Sequence, residues 1–283
     1  MEGLKNGRIE KNERLKGEME NKNNTTKTTV MLVFMQVFAF IAIIVISSLT
    51  VQGVWMLIAG KDGGTNEKIL TSAVYSLLVL LVFIKKKWSL LSPAYMQSRP
   101  WAVLAWAAVA GAGAIIPEMY LEELMPDLKN LVEKEMLELV HSDLGYFTLC
   151  LFAPFVEETV FRGAVLRTLL PRMKSRWAAI AISAALFSLV HLNPAQMPFA
   201  FIAGLLLGWL YSRTGSILPG VAYHWVNNTV VFAMARLLPP QIINGHLIDL
   251  FGGDHRRMVL SVIFSLFIFL PAIYQLNIRM RKA

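Results

Sequence analysis

The sequence predicts an all-α fold, a polytopic transmembrane bundle of about eight helices. Three observations predict it. Of 283 residues, 55% are hydrophobic and only 16% charged, against about 25% charged in a soluble globular chain. Mean hydropathy is +0.53. The charge is also unevenly placed. It collects in the first 27 residues, in the stretch 117–143 and in short clusters between long apolar runs, the pattern of membrane spans separated by wet loops.

Each element follows from that pattern. Residues 1–27 mix Lys, Arg, Glu and Asn with almost no large apolar residues. They are expected to form a cytosolic polar leader without a packed core, and residues 28–283 the transmembrane domain. The first apolar run begins near Thr29 and is too long for a signal-peptide core, so it is expected to remain as a first span. A span needs about 20 mainly apolar residues. Eight runs qualify, at 30–59, 69–84, 101–117, 146–170, 177–193, 197–212, 217–237 and 258–278.

Basic residues give an independent orientation. With the leader inside, Lys85, Lys86, Lys87 and Arg99, then Arg167, Arg172, Lys174 and Arg176, then Arg213, then Arg279, Arg281 and Lys282 all fall inside. Arg236, Arg256 and Arg257 are the exceptions. Both termini are thus expected in the cytoplasm, and a bacterial plasma membrane fits the Lys-rich leader. The net charge of +8 does not indicate nucleic acid, because the basic residues sit where topology requires them. The lipid bilayer is the expected partner. Between the third and fourth spans, Leu121, Leu124, Leu128, Leu131 and Leu139 recur at helical spacing among acidic residues. They predict an amphipathic helix that lies on the surface or covers the bundle. Gly204 and Gly208 form a Gly-x-x-x-Gly pair suited to close helix packing. Cys150, the only cysteine, reads as a small buried hydrophobe.

Ionisable groups within apolar spans cost a few kcal/mol each and need a reason. The fourth span carries Glu157, Glu158 and Arg162, the fifth Phe187 and His191, and the seventh His224, Asn227 and Asn228. Neighbouring helical residues point about 100° apart, so the two glutamates face different ways. Glu158 and Arg162, four apart with the acid first, form a favourable pair that braces the helix. Glu157 is left as a general base for water. Phe187 and His191 share a face, as do His224 and Asn228. The set offers a base, a second proton-handling group and two donors for a developing oxyanion. Taken singly, a mid-span His or Asn is as well explained by helix packing, Asn227 above all. His-Glu-x-x-His, Gly-x-Ser-Gly and paired intramembrane aspartates are absent.

Glu-Glu-x-x-x-Arg at 157–162, Phe-x-x-x-His at 187–191 and His-x-x-x-Asn at 224–228 resemble the three motifs of the CPBP intramembrane proteases. That family includes CAAX prenyl endopeptidases and Abi-type bacteriocin-immunity proteins. The resemblance covers about 140–236 and implies a CAAX-protease-like catalytic core with a water-filled cavity. It implies that Glu157 and His191 activate water, with His224 and Asn228 assisting and Glu158, Arg162 and Phe187 supporting them. The substrate would be a membrane-associated or prenylated-type peptide. No cofactor is expected, although Glu157, His191 and His224 would also make a three-ligand zinc site with an open position. Two other functions use the same residues: a proton-coupled transporter, and a non-catalytic immunity or scaffold protein. By the span boundaries His191 lies near the outer end of its helix and His224 nearer the inner third, so the two are expected to meet only if the boundaries move by about a turn or two, if the helices tilt strongly, or if Pro219 and Gly220 break the start of the seventh span and shift His224 outward.

Overall fold

A computed structural model describes residues 31–58, 64–90, 93–126, 128–142, 144–239, 242 and 245–280; the leader lies outside them. The chain divides into two compact units, Met1–Ile43 and Ile44–Ala283. The described part of the first is the beginning of helix α1, Met31–Ile58. In the second follow α2 (Thr65–Lys85), α3 (Pro93–Gln97), α4 (Trp101–Glu123), α5 (Glu133–His141), a continuous helical run α6 over 147–169, α7 (Arg176–Leu189), α8 (Met197–Thr214), α9 (Leu218–Leu237), a 3₁₀ turn (Leu247–Phe251) and α10 (His255–Arg279). The fold is all-α.

Among the described residues four helices are long and apolar enough to cross a membrane: α1, α2 over Asn66–Lys85, α4 and α10. The other four expected spans are helical too, but they fall short for different reasons. α6 carries Glu157, Glu158 and Arg162, α7 is apolar but has only 14 residues, α8 ends on Arg213, and α9 carries His224, Asn227 and Asn228. In α6 and α9 the polar residues of the site interrupt the apolar pattern.

α4 is the central staff, packing against both α9 and α10. Its inner face is small: Ala107, Ala110, Gly111, Gly113 and Ala114 are buried, which lets neighbouring backbones approach closely. A Cβ on Gly111 would collide with the Tyr223 carbonyl of α9, and one on Gly113 would come within 2.9 Å of the Phe269 nitrogen of α10. Leu207, Leu210, Tyr223, Ala272 and Leu276 complete this core. Pro117 lies inside α4 and has no N–H for the carbonyl of Gly113, four residues back. The Ser265 hydroxyl of α10 donates to that carbonyl instead, at 3.0 Å. Gly204 and Gly208 behave as their spacing suggests, seating α8 on Ala184 and Ile180 of α7.

The acidic segment departs from the expected single helix. α4 runs on to Glu123, and only 133–141 forms a separate amphipathic helix. Pro126 explains the break, since the residue before a proline is driven out of the helical region. α5 is tied down by Lys68 to Glu138, 3.0 Å, and by Arg236, which donates to the Val140 carbonyl at 2.8 Å. Arg236 therefore serves the C-terminal carbonyls of α5, which accounts for its exception to the charge rule. Arg256 and Arg257 follow Asp254, whose carboxylate caps α10 by accepting from both their backbone N–H groups.

Candidate active site

α6 supplies the acidic half of the site. It is not a uniform α-helix: π-helical turns over Phe147–Phe152 and Glu158–Leu166 flank a short α segment, Ala153–Glu157. Pro154 cannot donate to the ladder, and wide turns of this kind recur at functional sites. Glu157 ends the α segment and Glu158 opens the second π segment, yet both carboxylates come within 3.8 Å of one imidazole, that of His224, so they do not face apart as their spacing suggests. Glu158 is 0% exposed and Glu157 29%, so Glu157 is the one that meets solvent.

Glu158 is neutralised as the spacing predicts. Arg162 Nη1 donates to its Oε1 at 2.8 Å, and both side chains are fully buried. The second Arg162 Nη donates to the Gly204 carbonyl of α8 at 3.4 Å, and the guanidinium lies 4.3 Å from the Phe187 ring centroid, a cation–π contact. The far oxygen of Glu158 lies against Gly220, where a Cβ would collide with it. Gly220 thus makes room for the carboxylate. It does not break the helix: α9 is continuous from Leu218, with Pro219 in its first turn, where a missing N–H costs nothing.

α9 supplies the facing half. His224 Nε2 lies 3.6 Å from Glu157 Oε2, and Nδ1 lies 3.8 Å from Glu158 Oε1. His224 Nδ1 and Glu158 Oε2 are buried without a hydrogen-bond partner among the described residues. One turn on, Asn228 Nδ2 donates to the Leu149 carbonyl of α6 at 3.0 Å. One amide hydrogen therefore fixes α9 to α6, and the other is left for a ligand.

His191 is not within a helix. α7 ends at Leu189, and His191 occupies the following turn, ahead of Leu192 with φ +51°. Its Nδ1 lies 2.8 Å from the Phe187 carbonyl. A carbonyl only accepts, so Nδ1 carries the proton and Nε2 is left as acceptor. This fold-back lays the imidazole along α7, edge-on to the Phe187 ring at 4.9 Å, while His224 meets the same ring at 6.0 Å. Phe187 is thus the shared wall of both imidazoles and of Arg162. The depth mismatch between His191 and His224 is resolved by this turn and not by a broken seventh span.

Residues 141–230 match the family model described as type II CAAX prenyl endopeptidase Rce1-like. The chain carries an Rce1-like CAAX endopeptidase domain. The match takes in all three motifs, from Glu157 to Asn228, and the family is one of proteases. No curated protein and no solved structure matches the chain.

The Rce1-like domain does not arrange a metal set. Among the described residues no three of His, Cys, Asp and Glu are placed to hold an ion. Glu157 and His224 face one another, but they do not form such a set with His191. The three-ligand zinc alternative does not fit these side chains.

One polar residue at the site was not singled out from the sequence. Glu118, which reads as part of the acidic loop, lies within α4 and accepts from Tyr223 Oη at 3.2 Å and from Asn227 Nδ2 at 3.1 Å. These two α9 residues bracket His224. Asn227 also donates to the Gly111 carbonyl at 3.3 Å, so it is helix–helix glue. The Pro117-Glu118 pair reads as a span end, and only the tertiary partner of Glu118 shows otherwise. Cys150 is buried, with Sγ 3.5 Å from the Asn228 carbonyl.

Proposed function

We propose that the chain is an intramembrane endopeptidase of a bacterial plasma membrane, with both termini cytoplasmic. It hydrolyses a peptide bond of a membrane-associated or prenylated-type peptide through water activated by Glu157. The observation that carries this reading is the pairing of Glu157 with His224 at 3.6 Å beside a Glu158–Arg162 pair that is already neutralised. A structural acid would be satisfied locally, whereas Glu157 is accessible and faces an imidazole. The separation exceeds hydrogen-bond reach, as is common in free enzymes whose catalytic contacts tighten on substrate.

In this reading Glu157 takes a proton from water, and the water oxygen attacks the scissile carbonyl. His191 Nε2, the free acceptor, holds the same water. The charge developing on the carbonyl oxygen is met by the unused Asn228 amide hydrogen and by His224. The proton returns from Glu157 to the departing amine. An apolar cavity of about 380 Å³ lies between α2, α6 and α9. Val156, next to Glu157, and Val221 and Trp225, on either side of His224, line it. A cavity of that size and character suits the apolar part of such a substrate.

The test is cleavage of a quenched peptide by purified protein. Glu157→Gln preserves shape and should lower the rate at least about a hundredfold, as expected for loss of a general base. Full activity in Glu157→Gln would overturn the assignment. A scaffold would keep its phenotype in Glu157→Gln/His191→Ala, and a transporter would show pH-gradient-dependent flux without cleavage.

A further inference from the structure

A second cavity of about 380 Å³ lies among basic helix ends. Arg99 before α4, Arg213 at the end of α8 and Arg279 at the end of α10 all line it, together with Tyr95, Val103 and Met280. We propose that it binds a phosphate-bearing anion and that the ligand is the headgroup of an anionic phospholipid. The inference is independent of the peptidase reading.

The charge balance carries the argument. Three arginines line one cavity, and among the described residues no carboxylate lines it. Among the described residues Arg213 reaches the Asn277 carbonyl, at 3.3 Å, and Arg279 the Gln275 side-chain oxygen, at 3.2 Å. Both acceptors are neutral. Arg213 is half-buried and Arg99 and Arg279 are exposed, and like charges gathered at one place repel one another unless an anion joins them. Arg99 holds a left-handed backbone, φ +53°, a conformation that costs free energy in a non-glycine residue and persists where surroundings impose it. The Tyr95 hydroxyl is buried without a hydrogen-bond partner among the described residues. Burial pushes its pKa up to about 12, so it stays protonated as a donor. A phosphate would accept from this hydroxyl and from the arginine forks, which match its oxygens.

Place and size favour a lipid source. The cavity sits where α4 and α10, two of the four long apolar helices, meet their basic ends. Trp101, 59% exposed, marks the same level, as aromatic residues do at the membrane interface. Basic pockets between transmembrane helices at this level accept anionic headgroups. The volume reaches the lower range of small-molecule sites, about 300 Å³ and upward, and Val103 and Met280 offer apolar contact to the start of an acyl chain.

The experiment uses full-length protein in neutral detergent, titrated with dioctanoyl phosphatidic acid, dioctanoyl phosphatidylcholine or inorganic phosphate while thermal unfolding is followed. Phosphatidic acid should raise the transition saturably, and phosphatidylcholine should not. Arg99→Gln and Tyr95→Phe remove groups that have no partner within the described chain, so both should fold. Arg99→Gln should weaken the effect about tenfold or more, as loss of a charge-assisted contact does. A full, saturable shift with inorganic phosphate would support the anion site and overturn the lipid source. Equal shifts with phosphatidylcholine, or an unchanged response in Arg99→Gln combined with Arg279→Gln, would overturn the site itself.

Discussion

Glu118 shows how a residue remote from the reacting atoms sets their geometry. Its carboxylate holds Tyr223 and Asn227, and these fix the rotation of α9 that turns His224 toward Glu157 and Asn228 toward α6. Glu118→Ala leaves two buried donors unmet, at a cost of about 1–3 kcal/mol each. A displacement of about 1 Å at a reacting group can cost on the order of a hundredfold in rate. Glu118→Ala should therefore lower kcat at least about tenfold with KM little changed, and Glu118→Gln, which keeps an acceptor, should recover part of it. A matching rise in KM would show that the residue contacts substrate instead. Arg162 acts on stability rather than on geometry. Arg162→Met leaves Glu158 buried and uncompensated, and should destabilise the protein by about 3–5 kcal/mol, while Glu158→Gln/Arg162→Met should recover most of the loss. Unfolding midpoints in detergent measure both.

At the scale of elements, sequence periodicity located every apolar helix but misjudged where several stop. Glu158 and Arg162 were legible as a pair because their spacing holds within one helix, and Gly204 with Gly208 because small residues on one face have few other uses. The π turns of α6 were not legible: they flank Pro154, and no residue pattern in the sequence marks them. Nor was the end of α7 at Leu189, since Val190, His191 and Leu192 continue the apolar pattern and the left-handed Leu192 carries no sequence mark. Glu118 and α5 depend on partners about 100 and 70 residues away, beyond any local signal. The α5 tether has a pH signature. Lys68 beside Glu138, by hydrogen bond and charge, holds its carboxyl below the ordinary carboxylate range. A lowered native value means that the contribution is present above the unfolded pKa of about 4.3 and is lost as pH falls through the native one. Amide exchange in α5 should therefore rise on acidification below about pH 4, and Glu138→Gln should show the faster exchange at every pH. An α5 equally protected in both proteins would mean that Arg236 alone holds it.

The family-matched stretch, residues 141–230, contains every motif residue but not everything that positions them. α9 is seated on α4 through Gly111 and Glu118, and the apolar cavity lined by Val156 and Trp225 takes one wall from Ser76, Leu77 and Leu80 of α2. Both helices lie before the matched stretch. α10 supports α4 in turn, through Gly113 and the Ser265 hydroxyl. Isolated membrane helices associate by packing and hydrogen bonds rather than by a hydrophobic drive, so a missing neighbour is not made good by collapse. A fragment of 141–230 should insert without cleaving peptide. A fragment of 64–283, which retains every contact described for the site, should cleave at a rate within a few-fold of the full chain. Co-expressing 64–126 with 128–283 should restore cleavage, because α4 contributes to the site through side chains and backbone contacts and not through its covalent link to α5. Activity in 141–230 alone would show that α9 finds its orientation without α4, and would remove Glu118 from the machinery.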